Sequence, residues 1–282
     1  MDISINGKTA DITLESERTI GELLSGIDDW LKDSGFRLTG LEIDGEKIGS
    51  GALPPAFDRE LAGIRRVDLQ VRSGAELTLE ALGDAGACLA AYGEALERGG
   101  PGEAERVTGI WEGGAAASFL GAEFPELRRD LDAAFRGANR EAARALLEER
   151  MRELAEPLGE IDRLEALTGS AAGRLEDLPL DLQTGKDGRA AETVALFSAV
   201  AEKLFRLYRI LKTGGEDFSG LEVDSVPLES FLEAWNGAVK EMLAAYQSRD
   251  LVLVGDLAEY ELAPRLRGFW GALHTMKDRV CS

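Results

Sequence analysis

The only histidine, His274, is the first residue to weigh for chemistry. It lies in Leu273-His274-Thr275-Met276-Lys277, close to the chain end. A Ser-His-Asp or Cys-His relay would need it as the base, yet nothing in the sequence places a serine or cysteine beside it. The second group is acidic: Asp250, Asp256, Glu259 and Glu261. Asp256 and Glu259 are three apart, so on a helix they share a face and could hold a hard cation together. The competing reading is a solvated acidic face near a helix start, where the dipole favours negative charge. A chain with 52 acidic residues has many such faces. The expectation is therefore no metal and no cofactor, with Asp256 and Glu259 as the pair to watch for a cation. Asp250, Asp256, Glu259, Glu261 and Trp270 are the candidate contacts for a protein partner. Cys88 and Cys281 stand in no metal-ligand or C-x-x-C spacing, and Cys88, among Ala87, Leu89 and Ala90, reads as a small core residue. The Gly-Gly pairs at 99–100, 113–114 and 214–215 lack the strand-to-helix setting of a phosphate cradle. No catalytic residue is assigned.

Charge narrows the partners. Lys and Arg total 32 against 52 for Asp and Glu, a formal net charge of −20. Residues 1–73 hold 9 basic and 14 acidic side chains, and the remainder 23 and 38. Phosphate backbones and anionic lipid headgroups repel such a chain, which argues against nucleic acid and membrane surfaces and leaves solubility or a basic partner. The N-terminus lacks the basic start and apolar run of a signal peptide. The longest uncharged stretch, Gly113 to Ala122, is too short to span a bilayer. The expected location is the cytoplasm, which also suits the sparse cysteines.

The elements that position these residues change character near Ser73-Gly74. Before it, Ile3 and Ile5 alternate, Asn6-Gly7 turns, and Ala10, Ile12 and Leu14 alternate again, which predicts a hairpin. Thr19 and Glu22 form a capping box ahead of Ile20, Leu23, Leu24, Ile27 and Leu31 at helical spacing, with Trp30 beside them and Gly35 as C-cap. Leu41 and Ile43, an Asp44-Gly45 turn and Ile48 predict short strands; Val67, Leu69 and Val71 predict a last one.

After Ser73 the pattern is helical. Leu82, Ala85, Leu89, Tyr92 and Leu96 form a stripe closed by Gly99-Gly100-Pro101. A second helix runs through Val107, Ile110 and Trp111. Asn139 can cap a long run through Leu147, Met151, Leu154, Leu158 and Ile161, kinked at Pro157. Leu178 to Gly188 reads as a mobile connection. Val194, Phe197, Ala201, Leu204, Tyr208 and Leu211 form a stripe stopped by Gly214-Gly215. Leu232, Trp235, Val239, Met242 and Tyr246 form the next. Leu251, Val254 and Leu257 begin a third, which Leu262, Leu266, Phe269, Leu273 and Met276 complete across a kink at Pro264. Short connections make such helices antiparallel neighbours. The predicted fold is α+β: residues 1–73 as one module, a helical region over 74–178, and a C-terminal antiparallel bundle over 188–282 packed with it.

Four resemblances add to this. Hairpin, helix, short strands and final strand over residues 1–73 resemble the ubiquitin-like β-grasp fold, which implies a last strand parallel to the first and a helix across one face. Conjugation is excluded covalently, because Arg72-Ser73-Gly74-Ala75 runs on into more chain; the resemblance leaves partner docking at a sheet face or edge. Asp250 to Pro264 resembles a segment of uncharacterised bacterial helical-domain proteins across roughly 190–275, and implies a bundle without chemistry. His274, with Lys277 three residues on, sits in a helical setting similar to that of histidine-phosphotransfer bundles, but Asp278 and Arg279 stand where small residues usually follow, so a helix-end histidine is the reading preferred. The acidic helix is similar to the motifs of PhoU-like metal-binding bundles. The function expected is a non-enzymatic protein-interaction role as adaptor, scaffold or chaperone-like protein. The alternatives are a divalent-metal-binding regulatory bundle and a histidine phosphotransfer module.

Overall fold

The computed structural model describes residues 1–10, 17–32, 34–49, 53–99, 101–137, 139–214 and 217–282. Ile12 and Leu14 of the predicted hairpin, and the predicted stops at Gly100 and Gly215, lie outside the described residues. The architecture is α+β: a mixed five-stranded sheet followed by helices. The chain divides into two compact units, Met1–Met151 and Arg152–Ser282.

In the first unit β1 (Asp2–Ile5) turns at Asn6-Gly7, both with positive φ, into β2 (Lys8–Thr9). Two right-twisted strands joined by two residues require this geometry, which Asn and Gly tolerate best. Helix α1 (Ile20–Lys32) opens on the expected capping box: Thr19 Oγ1 accepts the Glu22 N–H at 3.3 Å, and Glu22 Oε2 accepts the Thr19 N–H at 3.2 Å. Strands β3 (Phe36–Ile43) and β4 (Glu46–Ile48) flank the Asp44-Gly45 turn. The Pro54-Pro55 segment forms a short helix, α2 (Leu53–Phe57). Strand β5 (Arg66–Ser73) completes the order β2-β1-β5-β3-β4. The first and last strands pair in parallel, Ile3 opposite Val67, while β3 pairs antiparallel to β5. Ile20, Leu23, Leu24, Ile27 and Leu31 of α1 share a buried core with Ile3, Leu41, Ile43, Val67 and Leu69. Trp30 is left exposed.

Strand β5 passes into α3 (Gly74–Glu94) without a linker. Ser73 and Glu76 form a second capping box there, so the change of character at Ser73 is a helix cap and not a break in the chain. A π-turn (Ala95–Gly99), α4 (Pro101–Glu112), α5 (Ala115–Glu123), α6 (Pro125–Ala134) and the start of α7 (Arg140–Ala155) follow. Of the predicted stripe, Leu82, Ala85, Leu89 and Tyr92 are buried, whereas Leu96 is exposed. Trp111 is buried and Ile110 is not. The Trp111 indole donates to Asp132 at 2.7 Å, and its ring stacks on Phe135. Asn139 caps α7 as predicted, its Oδ1 accepting the Ala142 N–H at 3.1 Å.

In the second unit the proline at 157 makes a break, not a kink. Helix α7 ends at Ala155, Glu156 leaves helical geometry, and Pro157 becomes the first residue of α8 (Pro157–Gln183), where its missing N–H costs nothing. The mobile connection expected over Leu178–Gly188 is corrected. Helix α8 continues to Gln183 with Pro179 inside it, and α9 (Asp187–Thr213) begins after three residues. The buried Asp181 carboxylate holds that turn, with Lys186 Nζ at 3.4 Å and Arg189 Nε at 3.0 Å. A two-stranded hairpin, β6 (Glu222–Val223) and β7 (Val226–Pro227), leads into α10 (Leu228–Ser248). Helix α11 (Leu251–Asp256), a π-turn (Leu257–Leu262) and α12 (Ala263–Cys281) then form one continuous helical run. At Pro264 the expected kink is a change of register. Pro264 has no N–H for the Tyr260 carbonyl, and the chain passes this point with the Ala263 N–H bonded to Ala258 O, five residues back.

The core of the second unit lies among α8, α9, α10 and α12. Trp235, 2% exposed, packs its ring against Phe197, Phe205, Phe231 and Phe269. Helices α8 and α11 approach closely because residue 255 is glycine: a Cβ there would stand 3.1–3.3 Å from atoms of Pro179. The line predicted for α10 needs correction. Trp235 and Met242 are buried with Phe231, Ala238 and Ala245, whereas Leu232 and Val239 lie at the core's edge and Tyr246 is exposed.

Candidate functional site

The second unit handles its charges in two ways. Along α8 the buried positions Glu160, Leu164, Thr168, Ala171, Leu175, Leu178 and Asp181 recur at steps of three and four, so the line facing the core begins and ends on a carboxylate. Glu160 is 1% exposed. Lys203 Nζ of α9 lies 2.7 Å from its Oε2, and Arg163 from the next turn of α8 donates to Oε1. Burial alone would push the Glu160 carboxyl up; the hydrogen bonds and charges of Lys203 and Arg163 offset it and hold the pKa below the ordinary carboxylate range. Glu153, also 1% exposed, receives a two-pronged contact from Arg206, Nε to Oε2 at 2.8 Å and Nη2 to Oε1 at 2.7 Å. Arg267 grips Glu176 from α12 at 2.6 and 3.0 Å, and Lys277 reaches Asp162 at 2.5 Å. The bonds from Arg267 also lower the Glu176 pKa. Each charge here has a partner inside the unit, so the arrangement is a clasp for α8, α9 and α12.

Residues 222–261, which carry the hairpin, α10, α11 and the π-turn, differ. They hold 9 acidic and 2 basic side chains, a net of −7, whereas the other residues of the unit hold 14 and 13. Among the described residues, Glu229, Glu233, Glu241 and Asp256 make no ion pair. Val252, Asp256 and Tyr260 are spaced by four along α11 and the π-turn and are all exposed, Val252 at 72% and Tyr260 at 65%. Glu259 accepts a hydrogen bond from the Tyr260 phenol, and that bond, with the charges of Glu259 and Asp256, raises the tyrosine pKa. The result is an outward acidic row with one aromatic and one aliphatic side chain.

Of the residues singled out from sequence, Asp256 and Glu259 stand together on this row. Asp250 has a local task, capping α11 by accepting the Leu253 N–H at 3.0 Å. Glu261 is paired with Arg265 one turn on. Trp270 is half-buried and donates its indole N–H to Ile161 O at 2.9 Å, which ties α12 to α8. Among the described residues no group of three metal-ligating side chains converges. His274 packs its ring 5.5 Å from that of Trp270 and has Nδ1 3.4 Å from Asp278. The Cys88 thiol is pushed up by burial and by Asp84, away from the reactive thiolate.

The clasp residues Glu153, Glu160, Asp181, Lys203 and Arg206 are not among those that sequence reasoning picks out. The available signal is phase: Glu160 and Asp181 fall on the apolar line of α8. A charged residue at such a position demands a partner.

Comparison with known proteins places two sequence families on the chain. One, described as the TP0873 N-terminal domain, matches residues 1–73. The other, described as a domain of unknown function (DUF8042), matches residues 160–269. A protein of Treponema pallidum (strain Nichols) that carries the name "Uncharacterized protein" is 23% identical over 275 residues, 97% of each chain. No solved structure matches. The first match covers the sheet module; the second covers α8, α9, the hairpin, α10, α11 and the π-turn, so both the clasp residue Glu160 and the acidic row fall inside it. No helix among the described residues is long and apolar enough to cross a membrane.

Proposed function

We propose that this is a non-enzymatic, cytoplasmic protein-interaction molecule, an adaptor, scaffold or chaperone-like protein, that docks a basic partner on the acidic row of α11 and the π-turn. The observation that carries this reading is the uneven use of charge. Most acids of α8 are answered within the unit, while residues 222–261 carry a formal net of −7, of which Asp256 is exposed beside Val252 and Tyr260, and Glu229, Glu233 and Glu241 are exposed without an ion pair among the described residues. Such a field steers a cationic segment on approach, and the two apolar side chains give it something to bury. The N-terminal sheet is read as a ubiquitin-like β-grasp module; the order β2-β1-β5-β3-β4, with its parallel central pair and one packed helix, supports that. Its role would be a second docking element. The free thiols of Cys88 and Cys281 suit a reducing compartment.

Crosslinking in cells followed by purification of the tagged full chain tests this reading. The expected result is a partner whose crosslinks map to residues 250–261 and whose affinity for the purified protein falls with salt and with Asp256→Asn/Glu259→Gln. A partner that binds equally well to that variant, at any salt concentration, would refute the acidic row as the site.

A further inference from the structure

Two turns of the sheet module share a device. Each begins on a residue at positive φ followed by glycine, Asn6-Gly7 and Asp44-Gly45, and each returns its own side chain to the backbone at an end of β5. Asp44 Oδ1 accepts the Arg65 and Arg66 N–H groups at 3.0 and 2.9 Å. Asn6 closes a two-way clamp: its Nδ2 donates to Val71 O and its Oδ1 accepts the Val71 N–H, both at 2.9 Å. The Gly7 N–H is held as well, donating to Asp68 Oδ1 at 3.2 Å. Asn6 and Gly7 are both exposed, so hydrogen bonding and not burial fixes them.

We propose that Asn6 is a latent self-deamidation site, gated by this clamp and converted one way when the β1–β2 turn leaves β5. An Asn-Gly pair carries both reactants: the Gly7 amide nitrogen, with no Cβ beside it to hinder approach, attacks the Asn6 Cγ. The nitrogen gives its proton to solvent, the new N–Cγ bond closes a cyclic succinimide, and the side-chain nitrogen leaves as ammonia. Water then opens the ring. Cleavage of the N–Cγ bond leaves aspartate at position 6; cleavage at the main-chain carbonyl leaves isoaspartate, with the chain rerouted through Cγ. The net change is a water consumed and an ammonia released. In the closed sheet both parties to the first step are engaged, the leaving nitrogen on Val71 O and the Gly7 N–H on Asp68. After conversion the clamp cannot re-form. An oxygen replaces the Nδ2 donor opposite Val71 O, so two acceptors meet, and the new negative charge comes up beside Asp68. Isoaspartate also adds a backbone carbon to a turn whose two residues set Ile5 opposite Lys8. A second pair, Asn236-Gly237, lies inside α10, where the helix bonds each N–H four residues back. It serves as an internal reference in the second unit. The inference is independent of the docking row on α11.

Peptide mapping by mass spectrometry of the full chain, aged in mildly alkaline buffer with and without denaturant, tests it. The expected result is that Asn6 and Asn236 both convert in the unfolded chain, while in the native chain Asn6 converts about a hundredfold more slowly, the combined hold of the two Asn6 bonds and the Gly7 bond. Native Asp68→Ala frees the Gly7 N–H and converts Asn6 about fivefold faster than wild type, with the Asn236 rate unchanged. Asp44→Ala, which releases the other turn of the same sheet, leaves the Asn6 rate unchanged. Conversion of Asn6 as fast in the native as in the unfolded chain would overturn the proposal. Equal acceleration by Asp68→Ala and Asp44→Ala would place the opening in the whole sheet and overturn the local gate, as would no acceleration by Asp68→Ala. Hydrogen exchange checks the one-way step: Asn6→Asp speeds exchange of the backbone N–H at position 6, which wild type bonds to Leu69 O at 2.8 Å. Exchange at the wild-type rate would mean that the turn closes again on the product, and would overturn that step. The native-against-unfolded comparison uses the wild-type chain alone, so it decides the gate even if a variant does not fold.

Discussion

The end of α7 with helices α8 and α9, and the segment from β6 to the π-turn, belong to one compact unit, yet they treat carboxylates in opposite ways. In the first region Glu153, Glu160 and Asp181 are buried and answered by Arg206, Lys203, Arg163, Lys186 and Arg189. In the second, Glu229, Glu233, Glu241 and Asp256 face outward with no ion pair among the described residues. The difference teaches where a net charge comes from. An acid that is paired inside adds nothing to the far field and a great deal to the geometry, whereas an unpaired one does the reverse.

The comparison can be broken by mutation. The largest effect belongs to the core that both regions share: Trp235→Ala removes a ring enclosed by four aromatic neighbours and should cost about 3–5 kcal/mol in denaturant unfolding. A loss below about 1 kcal/mol would mean that the two regions do not pack through it.

Next comes the clasp. Glu160→Ala takes from Lys203 the carboxylate at 2.7 Å and leaves Glu153 at the longer 4.0 Å, and should destabilise by about 3 kcal/mol. The pH dependence has a defined sign. The folded pKa of Glu160 lies below its unfolded value, so its stabilisation is present above the ordinary carboxylate range, about pH 4.3, and is lost as pH falls through the folded value. Unfolding curves of Glu160→Gln should therefore fall less steeply with acid than those of the wild type; parallel curves would remove Glu160 from the acid response.

Smaller still is Gly255→Ala. Its methyl group would press on Pro179 at 3.1–3.3 Å and should cost about 1–2 kcal/mol as α8 and α11 separate, a value readable from the denaturation midpoint. A neutral result would show that the contact yields freely.

The least effect on stability should come from the outward row. Asp256→Asn/Glu259→Gln should stay within about 0.5 kcal/mol of wild type, while removing two charges from the proposed docking face. Destabilisation comparable to that of Glu160→Ala would erase the distinction between the two regions.

Local chemistry makes much of this legible in the sequence. Asn6-Gly7, the Thr19–Glu22 box and the stripe through Phe197, Leu204 and Leu211 declare themselves because their causes lie within a few residues. The acidic row at Asp256 and Glu259 is legible for the same reason. The clasp is not: Lys203 meets Glu160 across more than forty positions of sequence, and helical periodicity sorts a glutamate outward by default. Proline marks a position without a remedy. Residues 157 and 264 both announce a disturbance, but only tertiary packing decides whether the chain breaks, as at Glu156, or rewinds, as at Leu257–Leu262. Spacing alone assigns the exposed Tyr246 to the core, because a stripe at a helix flank has the same period as one at its centre.

The rewound turn has a consequence for how this chain can vary over evolution. A π-turn holds one residue more than the α-turn it replaces, and α12 keeps Leu266, Phe269, Leu273 and Met276 inward only with that extra residue in place. Loss of one residue between Asp256 and Ala263 would turn α12 by about 100° and bring its polar side inward. Descendants of this sequence can therefore exchange side chains across the segment far more readily than they can shorten it. In an alignment of relatives, its length should be more constant than its composition.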